Sequence, residues 1–571
     1  MDTLTVIQNR GVRLGEQLIA DGLINEQQLR EALERQRQTG AFLGETLVSL
    51  GLVTPAALGR YLESATGFPF VELSNYPVNL DLARTIPEHV ARRKSLLPFA
   101  ERPEGVCVAM TDPLDLAAVD ELSARFGRRI LPFLAMQSDL MDAINRAYDV
   151  RQKAQLVLDE MTETPATEAE LSVDELVGLA EDAPIVRLVN GIISGAVTAG
   201  ASDIHIEPQE HQVRVRFRVD GLLYDQMTIP RHHLAAVVSR IKIMASLNIA
   251  ERRRPQDGRF TYRDSNGVEY DLRISIMPLI YGEKVVLRLL EKSGSLAVLS
   301  KLGFFPEQLS AFEGFIRRPH GIVLVTGPTG SGKSTTLYGA LNRINDSTIN
   351  INTIEDPVEY HLKGVNQVQV NPRIGVTFAS GLRTLVRQDP DVIMVGEIRD
   401  TETAEIAVQA ALTGHLVLST LHTNDAPGAL VRLQNMGVEP YLISSTVIGV
   451  VAQRLVRTIC SGCRETRAAS LATVEAFGLP MREGRPPLLA TGRGCAKCSG
   501  RGMRGRTAIY EVMPMSEPLR ERVLQRASSA LLRGQAISEG MVTMREAAVR
   551  KVLEGITTPD EVARVLFSEE I

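Results

Sequence analysis

The chain has 571 residues, enough for about four domains of ordinary size. Its 44% hydrophobic and 23% charged fractions exclude a long disordered or collagen-like protein. With 63 basic against 68 acidic residues, a net charge of −5 and no Trp, a generally basic nucleic-acid binder with base-stacking platforms is not expected, so no nucleic-acid partner is predicted. No apolar run approaches the roughly 20 residues of a membrane-spanning helix, and MDTLTVIQNRGVRLGEQL lacks a signal-peptide core. A cytosolic chain is expected.

The first 66 residues contain a repeat. Arg13-Leu14-Gly15, Leu18, Gly22, Leu29, Leu33 and Gln36 are answered 29 positions later by Phe42-Leu43-Gly44, Leu47, Gly51, Leu58, Leu62 and Ala65. The i, i+4 leucines predict a helix, a glycine turn and a second helix in each unit, with Asn25 and Thr54 as N-caps and Pro55 in the first turn. Residues 67–150 read as a compact α/β module, with FPFVEL and VCVAM as strands and DLAAVDELSARF and SDLMDAINRAYD as amphipathic helices. Residues 151–183 carry nine acids between Asp159 and Asp182, with no Lys or Arg from Ala154 to Val186, and read as an acidic linker. Residues 184–297 form a second α/β module, opening with the helix IVRLVNGIISGAVTAG and continuing into the strands SDIHIEP, VRVRFRV and EYDLRISIMP. From 298 to 571 the apolar runs of a parallel α/β sheet return, with a cysteine-bearing subdomain at about 456–505.

Gly327-Pro328-Thr329-Gly330-Ser331-Gly332-Lys333-Ser334 matches G-x-x-x-x-G-K-[ST] at every fixed position, between the strand GIVLV and the helix STTLYGALNRI. Glycines let backbone N–H groups curl around an anion, and the helix N-terminus adds about half a unit of positive charge. Lys333 is predicted to reach the β- and γ-phosphates, Ser334 to ligate Mg²⁺ and Thr335 to complete the cradle, so ATP and Mg²⁺ are expected. Two strand ends downstream carry acids. Val392–Val395 ends at Glu397, a candidate for Mg²⁺ or its water. Ile351–Ile354 ends at Glu355, the first candidate for the base that polarises water, with Glu359 in reserve. His415 and His422 flank the apolar run LVLSTL, and His422 is a candidate γ-phosphate sensor.

Cys460-x-x-Cys463 and Cys495-x-x-Cys498 are separated by 31 residues. Each pair can present two thiolates to one cation, and two pairs complete a tetrahedral shell, so a structural Zn²⁺ is expected, with the intervening segment looped out. Cys107, in an apolar strand, reads as a core residue.

In this order, GPTGSGKST, INTIEDPVEY, QDPDVIMVGEIRD and TGHLVLSTLHTND resemble the Walker A, Asp box, Walker B and His box of the type II secretion and type IV pilus assembly ATPases. SDIHIEP, RRRPQDGR and the double CxxC are also similar to that family. The resemblance implies a RecA-like P-loop ATPase domain preceded by a PAS-like α/β N2 module, an N-terminal helical plus α/β module, and a small four-cysteine zinc subdomain. It also implies a homo-hexamer at the cytoplasmic face of the inner membrane. There it would work through the membrane platform and other cytoplasmic-face secretion or pilus proteins to build a pilus or pseudopilus. Arginine fingers lie in the N2 module in that family, where Arg259 and Arg273 fit best and Arg254 and Arg288 next. RLGEQLIADGLINEQQLREALERQ is similar to a motif that binds cyclic di-GMP in some relatives, with Arg13, Leu14, Gly15 and Gln36 as the matching positions. The second copy has Phe42 and Ala65 instead of the Arg and Gln, and a helical docking scaffold is the better reading of the repeat.

Two other classes use a phosphate loop. A nucleic-acid translocase is opposed by the acidic charge and few aromatics, and a kinase by the lack of any acceptor-site signal. LVRQDPDV and QRLVRTIC are closer to the secretion branch, HTNDAP and NMGV to the pilus branch, and the reading leans to type II secretion.

Overall fold

A computed structural model describes residues 15, 18–19, 22–39, 43–148, 173–264, 267–291, 298–481 and 484–566. Among these, no helix is long and apolar enough to cross a membrane. Contacts divide the chain into two units. One is Met1–Ala199 with Asp203–Phe217 and Asp225–Arg288, and the other is Gly200–Ser202 with Arg218–Tyr224 and Leu289–Ile571.

In the first unit the repeat folds as its periodicity requires. Helices Glu26–Thr39, Leu43–Ser49 and Pro55–Thr66 bury Ile24, Ala32, Leu47, Val53 and Leu58 in one cluster with Leu18. Asn25 and Gln28 cap each other, and Thr54 caps Ala57 ahead of Pro55. A Cβ on Gly15 would come within 2.4 Å of Leu29, and one on Gly44 within 2.9 Å of Leu58. Those two pairs are equivalent in the repeat, so each glycine lets a helix approach the leucine of its own unit.

The following module has strands β1 (Leu96–Arg102), β2 (Gly105–Met110) and β3 (Ile130–Leu134), with β2 antiparallel to β1 and parallel to β3. VCVAM is the buried centre of β2, where burial pushes the Cys107 thiol up. FPFVEL, expected as a strand, makes a single parallel bridge from Phe70 to Leu134 at the β3 edge, while β1 pairs with β2 on the other side of the sheet. Helices Leu116–Phe126, capped by Asp115, and Gln137–Ala147 match the amphipathic runs. At the end of the acidic stretch, Val173–Glu181 is a helix that packs against helix Leu234–Met244, with Ala180 buried. Val177 and Leu179 are half-buried on this helix, so residues 173–181 of the expected linker are helical.

Helix Ala183–Thr198 leads into a six-stranded sheet of β4 (Ala201–Pro208), β5 (Gln212–Val219), β6 (Leu222–Pro230), β7 (Gln256–Arg263), β8 (Glu269–Leu279) and β9 (Gly282–Glu291), in the order β6-β5-β4-β9-β8-β7. Within SDIHIEP, Glu207 is buried on β4 and paired with Arg216 (2.8 Å), Lys284 (2.9 Å) and Arg214 (3.3 Å). Burial would raise its carboxyl, but the hydrogen bonds from Arg216 and Lys284 outweigh this and hold it down to about 2.

The second unit holds β10 (Gly321–Thr326), β11 (Ile351–Glu355), β12 (Asn366–Gln369), β13 (Val392–Val395), β14 (Leu416–Leu421), β15 (Val447–Ile459), β16 (Arg464–Ala468), β17 (Leu488–Gly492) and β18 (Met503–Pro514). Seven form one sheet in the order β12-β11-β13-β14-β10-β15-β18, parallel except for β18. Helices cover both faces. Ile322 and Leu324 of β10 enter one apolar cluster, and Val323 and Val325 enter the other. That is why the strands read as unbroken apolar runs with no alternation.

Candidate active site

The phosphate loop joins β10 to helix Lys333–Ile344. Gly327, Gly330 and Gly332 have φ of 148°, 78° and 88°, a region that favours glycine, and a Cβ on Gly327 would meet the Gln453 carbonyl at 2.5 Å. Thr329, Gly330, Ser334 and Thr335 are exposed, Pro328 is half-buried, and Ser331 and Lys333 are buried. The Lys333 ammonium donates to the carbonyls of Gly327 (2.8 Å) and Pro328 (3.0 Å). Burial brings its pKa down to about 8; the Glu397 carboxylate opposes this and Arg454 adds to it.

Strand order sets which groups meet this loop. β14 lies between β10 and β13, so the end carrying His422 sits between the phosphate loop and Glu397. Polar side chains pin that end. The Thr326 hydroxyl donates to the Leu421 carbonyl (3.1 Å) and accepts from the Thr423 N–H (2.9 Å). Ser419 and Thr420 donate to the Val395 and Gly396 carbonyls of the neighbouring strand end. His422 Nε2 then lies 3.4 Å from Glu397, whose other oxygen pairs with Arg399 at 2.5 Å. His415 is at the opposite end of β14, where its Nδ1 lies 2.8 Å from the Ala410 carbonyl.

Glu355 closes β11, on the far side of β13. Three strand spacings separate β11 from β10, roughly 14 Å at the backbone. The Glu355 carboxylate is 4% exposed and accepts from Thr353 (2.6 Å), Gln367 (3.2 Å) and the Tyr338 hydroxyl. Tyr338 accepts in turn from the backbone N–H of Glu359 at 3.2 Å, so one phenol links the Glu355 carboxylate to the Glu359 backbone. Burial, and then the Glu355 carboxylate, raise the Tyr338 phenol; burial, with the charges of Glu355 and Glu359, pushes Tyr360 up to about 12.

The structure therefore brings together Lys333, Glu397 and His422, and separately Glu355 and Glu359. Arg259, Arg273 and Arg288 lie on the six-stranded sheet of the other unit, where Arg259 of β7 stands directly across from Arg273 of β8, and Arg254 precedes β7. Arg259 and Arg254 are exposed, Arg273 is 3.7 Å from Asp271, and Arg288 is 3.0 Å from Asp203. Gly15 and Gln36 fall in the helical repeat, whereas Arg13, Leu14 and Phe42 lie outside the described residues.

The four cysteine Sγ atoms all lie within 4.8 Å of one another, with Cys460–Cys495, Cys463–Cys498 and Cys495–Cys498 at 3.8 Å. For Zn–S bonds of about 2.3 Å a tetrahedron has edges of about 3.8 Å, so the set fits zinc. The backbone N–H groups of Cys495 and Gly502 donate to the Cys498 sulfur, both at 3.2 Å, as they would to a ligating thiolate. The segment between the pairs loops out as the β16–β17 hairpin with helix Leu471–Phe477.

Sequence reading missed Tyr338, Gln367, Arg399, Gln453 and Arg454. For the last two a signal existed: a Gln-Arg pair interrupts the otherwise apolar run VIGVVAQRLV.

The family described as Type II/IV secretion system protein matches residues 178–564. This chain belongs to that family. It is a RecA-like ATPase of the group that serves secretion systems and pili, and the family's chemistry uses ATP with Mg²⁺. An MshEN domain matches residues 66–154. Among relatives, the type IV pilus assembly ATPase PilB of Myxococcus xanthus is 45% identical over 555 residues, covering 96% of this chain and 98% of that protein. The type II secretion system protein E of Pseudomonas aeruginosa is 46% identical over 492 residues, covering 85% and 97%. The ATPase DotB of Yersinia pseudotuberculosis shares the fold, with a TM-score of 0.50 and 20% identity over 71% of this chain and 97% of its own.

Proposed function

We propose that this ATPase works as a homo-hexameric ring on the cytoplasmic side of the inner membrane, driving pseudopilus assembly in type II secretion through a membrane platform protein. The observation that carries the reading is the phosphate loop with the Glu397–His422 pair on the strand ends beside it. Lys333 holds the β- and γ-phosphates, Ser334 binds Mg²⁺, Glu397 orients its water, and His422 senses the γ-phosphate. Glu355 activates the attacking water, with Glu359 as the alternative. The set of four cysteines holds a structural zinc. Type IV pilus extension is the second reading, favoured by the pilus relative that aligns over 96% of this chain. A chromosomal Glu397→Gln variant separates them: secretion stops with pili intact under the first reading, and pili vanish under the second. Normal secretion and normal pili would refute both.

Arg259 and Arg273 act as fingers on charge developing at the phosphoryl oxygens of a neighbouring copy. Replacing both with Ala should lower ring turnover roughly hundredfold, short of the full finger effect because Arg254 and Arg288 remain. Fluorescent-ADP titration should show affinity nearly unchanged. Equal losses in turnover and affinity would contradict the finger role.

A further inference from the structure

Gln453 lies on β15, one residue beyond Ala452, which pairs with Thr326 at the end of β10. It is 1% exposed and stands beneath the phosphate loop. Its Nε2 donates to the Ser331 carbonyl at 2.6 Å, and a Cβ on Gly332 would meet that same nitrogen at 3.1 Å. Its Oε1 is buried without a hydrogen-bond partner among the described residues. Turning the amide over would set Oε1 against the Ser331 oxygen, two acceptors face to face, so the donor must be the nitrogen.

The Ser331–Gly332 peptide is planar and trans, so its C=O and N–H point in opposite directions. A side chain that grips the Ser331 carbonyl from below therefore turns the Gly332 N–H away from β15, toward the concave side of the loop. We infer that Gln453 is a positioning residue for anion binding: by holding one carbonyl, it aims an N–H of the cradle at the phosphates of a bound nucleotide. The adjacent Arg454 ties the same strand to the loop after His422, donating to Asn424 Oδ1 at 3.1 Å. One rigid strand thus sets both the cradle and the spacing to the histidine. This inference rests on the loop being the nucleotide site.

The test is fluorescent-ADP titration of the full chain, wild type against Lys333→Ala, Gln453→Leu and Gln453→Glu, with steady-state kinetics in parallel. Gln453→Leu keeps the volume but removes the donor. It should weaken ADP binding roughly tenfold to hundredfold, the effect of one hydrogen bond to a charged group, and raise KM more than it lowers kcat. Gln453→Glu places a carboxylate against the carbonyl at about pH 8, but protonated at about pH 6 in this buried setting it can donate again. Its affinity relative to wild type should recover on acidification, a response that a merely structural residue would not give. If the Leu variant fails to fold, the Glu variant decides alone. Wild-type affinity in the Leu variant, or a Glu variant equally weak at both pH values, overturns the inference. A Lys333→Ala chain that binds like wild type would instead refute the nucleotide site itself.

Discussion

Lys333→Ala is expected to lower ATP turnover about a thousandfold while leaving the chain folded. The ammonium is buried at the first position of its helix and holds two loop carbonyls, so its charge sits inside the loop. Alanine removes that charge where negative charge accumulates on the transferred phosphoryl group, and it disturbs the helix least because it is the best helix former. The wild-type pH profile is a second readout. Lys333 loses its proton around pH 8, so the protonated form that attracts phosphate prevails below that value. ADP affinity should fall as pH rises through about 8, and this step should be absent from Lys333→Ala. Undiminished turnover in the variant would show that hydrolysis occurs elsewhere.

Stripping zinc should unfold the loop-out between β15 and β18. Four thiols set about a tetrahedral centre contribute an apparent binding energy of order 10 kcal/mol, comparable to the whole stability of many domains. The cluster closes the distal ends of β15 and β18, where the ladder already shifts register between Arg457 and Ile459. Without the ion, the hairpin of β16 and β17 has only two strands, which alone is marginal in water, and its segment keeps the anchors Leu479 and Leu489 in the main apolar cluster. One zinc per chain is expected by elemental analysis, and chelation or Cys463→Ser should open residues 464–492 to protease and lower the melting temperature. A metal-free chain with unchanged melting and protection would rule out this role.

Short-range chemistry made much of the site readable in advance. The phosphate loop needs glycines, a lysine and a hydroxyl at fixed spacing between a strand and a helix, and the structure puts them there. Two CxxC pairs need only the chain to double back once, and it does so through the expected loop-out. FPFVEL fell short of a strand because an apolar run can be buried with little pairing: it makes one bridge, from Phe70 to Leu134 at the β3 edge, while the less obvious LLPFAER forms the ladder with β2.

From the sequence alone came the glycine-rich loop between strand and helix, the gathering of the four cysteines, the apolar strands of a two-sided sheet and the helical repeat, because each depends on neighbours within a few residues or on strict periodicity. The tertiary structure alone decided that β14 lies between β10 and β13, that Glu397 therefore meets His422, and that Arg259 faces Arg273. It also decided that Tyr338 holds Glu355 and that Gln453 lies under the loop. These depend on strand order and cross-strand register, which are set by packing between segments far apart in the chain, and no local pattern of residues records which buried polar group will find which partner.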